Sequence, residues 1–210
     1  MQNVQVKFTG KNLTGNAGLT HLGRFTQKLG LKSILEETLT LQRAANARYH
    51  VADVIIMVML GVLAGAKHMS HLAIVGSDSV LCRIFQWKYF PVASTFSRIF
   101  KRFTHKHCAE LSEAESTIRK KVWGKSKKWL GRVTLDFDST VRGVFGSQEG
   151  ARKGYNPKKY GQKSYHPLMC FIAETRECFN NWFRCGNAYS ANGCVEFMQE
   201  CFARLPKRVW

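Results

Sequence analysis

The sequence predicts an α+β chain: a mainly helical domain over 1–128, with a basic linker at its end, followed by a strand-opening domain over 129–210. Two observations predict it. Apolar residues recur every three or four positions as far as Trp123, the period of a helix with one buried face. Beyond the basic connector Gly124-Lys125-Ser126-Lys127-Lys128, β-branched and alternating runs take over. A hydrophobic share of 45% in 210 residues is enough for packed cores in one large or two modest domains.

In the first domain, Leu19, Leu22, Phe25 and Leu29 predict a helix over 18–29 that Gly30 stops. Val51, Ile55, Val58, Leu60 and Leu63 predict a buried helix over 46–66, with Gly61 and Gly65 leaving room for a neighbour to approach. Short helical pieces follow at 71–76 and 79–85. After Pro91, Phe96, Ile99, Phe100 and Phe103 form an apolar stripe over 93–103, with Ser94 or Thr95 as caps and Arg98, Lys101 and Arg102 off the stripe. A last helix spans 106–123 and carries Arg119-Lys120-Lys121. A basic helix after several short ones suits a helix-turn-helix-like DNA-binding module; a solvated surface helix is the alternative.

The second domain opens with a strand over 132–138, predicted to be buried. A glycine-spaced loop leads to strand-like runs at 165–173 and 178–184, joined as a hairpin across Glu174-Thr175-Arg176-Glu177. An amphipathic helix covers 191–204, Pro206 ends it, and Lys207-Arg208-Val209-Trp210 starts a fourth strand. Three strands, a helix and a further strand are the opening, or first half, of a ribonuclease H-like α/β domain, the last step being a right-handed crossover.

Charge narrows the function classes. With 32 Lys and Arg against 14 Asp and Glu, the net charge is +18, and such a surface repels itself unless a polyanion neutralises it. Nucleic acid is the expected partner, bound largely through counterion release. No basic amphipathic helix serves a membrane, the apolar stretch 54–66 is too short to cross one, and the N-terminus lacks a signal peptide's apolar run. Seven cysteines without a CxxC read as reduced thiols, so the chain is expected in a cytoplasm.

Asp136 and Asp138 are two apart on the first strand and share a face. Two buried neighbouring carboxylates need a divalent cation or a nearby Arg; solvent at the strand end is the other outcome. Between 142 and 163 stand Arg142, Arg152, Lys153, Lys158, Lys159 and Lys163 against the single acid Glu149, with Tyr155 and Tyr160 between them. This pattern suits phosphates and stacked bases, or a solvated basic loop. His105, His107 and Cys108 lack a second ligand pair at zinc spacing, and His166 suits a structural hydrogen bond as well as catalysis.

Asp136-Phe-Asp-Ser-Thr, Gly146-Ser-Gln-Glu-Gly-Ala, Gly154-Tyr-Asn-Pro, Tyr165-His-Pro-Leu, Arg184-Cys-Gly-Asn and Ala191-Asn-Gly together resemble DDE-type insertion-sequence transposases, above all insertion-sequence family 1380. The resemblance implies a bacterial, nucleoid-associated enzyme that cuts and joins DNA at mobile-element ends. Its partners would be those ends and the target duplex, and it could act as a homodimer. It implies two Mg²⁺ ions held by Asp, Asp and Glu, with Asp138 as the first metal ligand and Asp136 as a supporting acid, or the reverse. Phosphate contacts fall to Arg98, Lys101, Arg102, Arg119, Lys120, Lys121, Lys127, Lys128, Arg152, Lys153, Tyr155, Lys158, Lys159 and Lys163. The acids after Asp138 match neither the second Asp nor the Glu, so the chain is expected to be an N-terminal fragment that binds DNA without cutting it. A DNA-binding regulator without catalysis is the competing class.

Overall fold

Apolar periodicity yields helices throughout the first unit of the computed structural model, which describes residues 10, 13–44, 46–125, 131–156 and 159–206. The chain divides into two compact units, Met1–Ser126 and Lys127–Trp210. The first unit contains α1 (Ala17–Leu29), α2 (Leu31–Thr38), α3 (Val51–Leu63), a 3₁₀ turn at Met69–Leu72, α4 (Ala73–Gly76), α5 (Ser79–Ile84), α6 (Ala93–Phe100) and α7 (His105–Lys125).

Gly30 ends α1 in a left-handed conformation (φ 70), its N–H returning to the carbonyls of Gln27 and Thr26. The same residue also opens α2, a helix absent from the sequence reading. Leu31, Ile34 and Leu35 drive α2 by filling one buried face. Helix α3 is shorter than expected and begins after His50, whose backbone is extended. Val51, Val54, Met57 and Leu60 are buried along it. One core gathers α2, α3, α5 and Ala114 of α7; another packs Val54 and Met57 against Leu72, Phe96 and Ile99. Gly61 does admit a close neighbour, the side chain of Leu72, whereas Gly65 (φ 92) lies beyond the helix with open space around it. Ser94 and Thr95 lie inside α6, whose cap is Val92, so neither acts as its cap.

The second unit opens with β1 (Leu135–Ser139), then β2 (Arg142–Gly143), β3 (Arg152–Lys153), β4 (Lys163–Tyr165), β5 (Leu168–Ile172), β6 (Glu177–Trp182) and α8 (Cys194–Arg204). β1, β5 and β6 form an antiparallel sheet in that order; β2, β4 and β3 form a second, also antiparallel. The run expected as one strand over 165–173 is two, because Pro167 has no N–H to give a ladder and interrupts it. The expected loop over 142–163 thus contains strands. The start of a fourth strand at 207–210 lies outside the described residues.

Helix α8 covers one face of the first sheet. Phe197, fully buried, meets Phe137 at 6.0 Å and Trp182 at 5.3 Å, both edge to face. Trp182 donates its Nε1–H to Glu200 at 2.7 Å, and Arg204 pairs with the same carboxylate. The second sheet is closed against the 185–187 segment through two glycines. A Cβ at Gly186 would overlap the carbonyl oxygens of Ser164 and Arg152, and one at Gly154 would overlap the Gly186 carbonyl.

Two stability predictions follow from these contacts. Gly186→Ala forces backbone apart and should destabilise the protein by about 1–3 kcal/mol, read as a lowered denaturant midpoint. Asp78 caps α5, accepting from the N–H groups of Val80 and Leu81, and also accepts from Thr14 and Asn16. Burial pushes its carboxyl up, but these hydrogen bonds outweigh that and hold it below the usual value of 3.8. Its stabilisation is therefore present above pH 3.8 and is lost as pH falls below that value. Asp78→Ala should cost about 1 kcal/mol at neutral pH, and the difference from the wild type should shrink in acid melts.

Candidate functional site

Strand alternation decides where the two acids point. In β1, Leu135, Phe137 and Ser139 are half-buried, while Asp136 and Asp138 are exposed. Phe137 packs under α8, so the carboxylates occupy the opposite face of the sheet. The register sets Asp136 beside Phe171 and Asp138 beside Met169 on β5. Asp138 accepts the N–H of Ser139 at 2.8 Å. The expectation of a buried strand is thus corrected, and of the two outcomes open for its acids the structure has solvent exposure. Solvent relieves the two charges, and no buried ion is required to compensate them.

A hard cation such as Mg²⁺ takes carboxylate oxygen, so Asp136 and Asp138 fit it in kind. In number they fall short of a complete site: among the described residues, no group of three His, Cys, Asp or Glu side chains could hold a metal ion. Zinc at His105, His107 and Cys108 fails the same count. His107 instead turns its Nδ1 to the N–H of Thr104 at 3.0 Å, at the start of α7. His166 is buried, and its Nδ1 lies 2.7 Å from the carbonyl of Ala188, a structural hydrogen bond.

The basic residues separate into distinct groups. Lys101, Lys120 and Lys121 are exposed on the first unit. Lys121 also reaches the carbonyl of Leu29 at 3.4 Å. Arg98 bonds Thr95 at 3.2 Å, and Arg102 bonds the carbonyl of Gln42 at 3.0 Å, each from an exposed position. Arg119 departs from the expectation of a phosphate contact. Its side chain is 8% exposed and bonds Glu115 at 2.6 Å, so its charge is met inside the helix. A single residue step, a rotation of about 100° around the helix, separates it from solvent-facing Lys120, a distinction that a Lys/Arg run does not reveal.

In the second unit, Arg152 and Lys153 lie on β3 and Lys163 on β4. Lys153 stands directly opposite Lys163, while Arg152 stands opposite the buried Ser164 and so faces the other way. Tyr155 and Tyr160 are exposed, and Lys159 lies over the ring of exposed Phe145 at 5.4 Å. Lys127, Lys128 and Lys158 lie outside the described residues.

Arg184 is a structural brace that spacing could not single out. Its Nε donates to the carbonyl of His166, and its Nη1 reaches the carbonyls of Tyr189, Ser190 and Asn192, the last at 2.6 Å. Burial lowers the guanidinium's pKa from its ordinary value. One side chain thereby fixes the 184–193 segment against the stretch between β4 and β5.

An α+β chain with an acid pair on an exposed sheet face and a basic second sheet has the parts of an enzyme that handles nucleic acid. Compared with known families, residues 1–210 match the family "Transposase DDE domain group 1", and the chain belongs to it. It is therefore of a transposase type, a family of nuclease-like enzymes that act on DNA and generally use divalent metals. No curated protein and no solved structure matches it. Among the described residues, no helix is long and apolar enough to cross a membrane.

Arg184→Lys retains the charge but not the planar fork that spans several carbonyls. It should destabilise the second unit by about 1–3 kcal/mol, measured as a shift in its unfolding midpoint.

Proposed function

We propose that the chain is the DNA-binding part of an insertion-sequence transposase of the family 1380 type, with β1, β5, β6 and α8 forming the opening of a ribonuclease H-like domain. The observation that carries this reading is the acid pair of β1 on an open sheet face, followed in sequence by a strongly basic segment. The sheet order β1-β5-β6, with β5 central, leaves one edge of β1 open among the described residues for a further strand. In this reading the helical unit holds duplex DNA through Arg98, Lys101, Arg102, Lys120 and Lys121. The second unit holds it through Lys153, Lys159 and Lys163, with Tyr155 stacking or bonding to backbone.

Asp138 is proposed as the metal ligand and Asp136 as the acid that supports it. Mg²⁺ bound there would supply electrophilic pull on phosphodiester oxygen. The protein's own part is to present these carboxylates on a strand braced by Phe137 beneath α8. Two carboxylates on one strand hold a reluctantly dehydrated ion weakly, so the chain is proposed to bind DNA without cutting it. The shortage of ligands favours, as a second reading, a DNA-binding regulator that performs no chemistry.

The primary test is affinity for duplex DNA across a range of salt concentrations. The reading expects a steep linear fall of log affinity with log salt, of about 0.9 per phosphate contacted. A flat dependence would overturn it. For the acids, Mn²⁺ binding should be weak in the wild type and weaker still in Asp138→Ala, with Asp136→Ala less affected. DNA affinity should be unchanged or slightly raised in Asp138→Ala, since a negative charge near phosphate is removed. Equal metal binding by wild type and Asp138→Ala would remove Asp138 from the site.

A further inference from the structure

The second sheet has two unlike faces. On one, Ser164 is fully buried between Gly143 and Arg152, its neighbours across the strands, and Gly186 presses against it. On the other, the register places Arg142 beside Tyr165 and Lys153 beside Lys163. Because alternate residues of a strand share a face, Arg142, Lys153 and Lys163 all project from the side of Tyr165. Tyr165 is held in place: its hydroxyl donates to the carbonyl of Glu149 at 2.6 Å and its ring lies against Phe183 at 4.4 Å. Among the described residues, no carboxylate pairs with Arg142, Lys153 or Lys163.

Two lysines directly opposite each other in an antiparallel pair repel and weaken the sheet that carries them, with Cβ atoms about 4.5–5.5 Å apart. A like-charge pair on two short strands is a cost in the free protein and an asset only when an anion lies across it. Resting on the DNA reading above, we infer that this face is a backbone-phosphate platform. The Lys153–Lys163 pair, extended by Arg142, receives phosphates of one DNA strand, and the bound polyanion stabilises the small sheet. Arg152, on the same strand but the opposite face, lies outside the platform.

The test compares Lys153→Gln, Lys163→Gln and Arg152→Gln in the full chain, each removing one positive charge. Duplex DNA of fixed length is titrated at several salt concentrations, and thermal melting is followed with and without it. The platform predicts that each lysine variant lowers the log–log salt slope by about 1 and weakens affinity several-fold, while Arg152→Gln changes the slope by much less. It also predicts that Lys163→Glu, which turns repulsion into attraction, melts higher than wild type without DNA and gains less on adding it. Equal slopes for Lys163→Gln and Arg152→Gln, on a wild-type chain that binds with a steep slope, would overturn the platform and leave DNA binding standing. A lower melting point for Lys163→Glu in the free protein would overturn it too. A flat wild-type slope would instead remove the DNA reading on which it rests.

Discussion

The second unit depends on one contact, Phe197 of α8 against Phe137 of β1. Phe137 sits between Asp136 and Asp138, so burying its ring under the helix commits both carboxylates to the other face. The same helix face receives Trp182, and the alternation continues across β5, where Leu168, Cys170 and Ile172 are buried. A register slip of one residue would bury two like-charged acids beneath α8, at a large desolvation cost. The apolar face therefore enforces the geometry of the acids without touching them. It also accounts for the thiols of Cys170 on β5 and Cys201 of α8, both fully buried; burial pushes Cys170 up to about 12, where it stays protonated and inert.

Charge is the second constraint. The net +18 is unevenly used: among the described residues, some basic groups are absorbed into the fold and others have no carboxylate partner. Arg119 meets Glu115, Arg204 meets Glu200, and Arg184 meets a set of carbonyls. Lys153 and Lys163, by contrast, are set against each other. A fold selected for stability alone would place an acid opposite one of them. Their placement fits a protein whose working state includes a polyanion, as membership of a DNA-transposition family implies.

The glycines between 142 and 193 serve this arrangement in two ways. Gly154 and Gly186 allow backbone to meet backbone, closing the Ser164 face of the small sheet. Gly193 adopts a left-handed backbone (φ 70) at the start of α8, against the ring of Trp182. Together with the Arg184 fork they hold the 184–193 segment close to β4 and β5.

The sequence by itself determined the α+β character, the change from helix to strand period, the shared face of Asp136 and Asp138, and the basic character of 142–163. Each is a local pattern: period, propensity or charge, readable within a window of a few residues. It also carried the family resemblance, through short motifs such as Asp136-Phe-Asp-Ser-Thr. Helix α2 was missed because Gly30, a sound stop signal for α1, serves equally as the start of the next helix. The exposure of the acids, the burial of Arg119 and the pairing of Lys153 with Lys163 were decided only by tertiary structure. Which face of a strand or helix is covered depends on what packs on it, and α8 lies some sixty residues beyond β1 in the chain. Cross-strand partners likewise depend on register between segments ten residues apart, which no local window records.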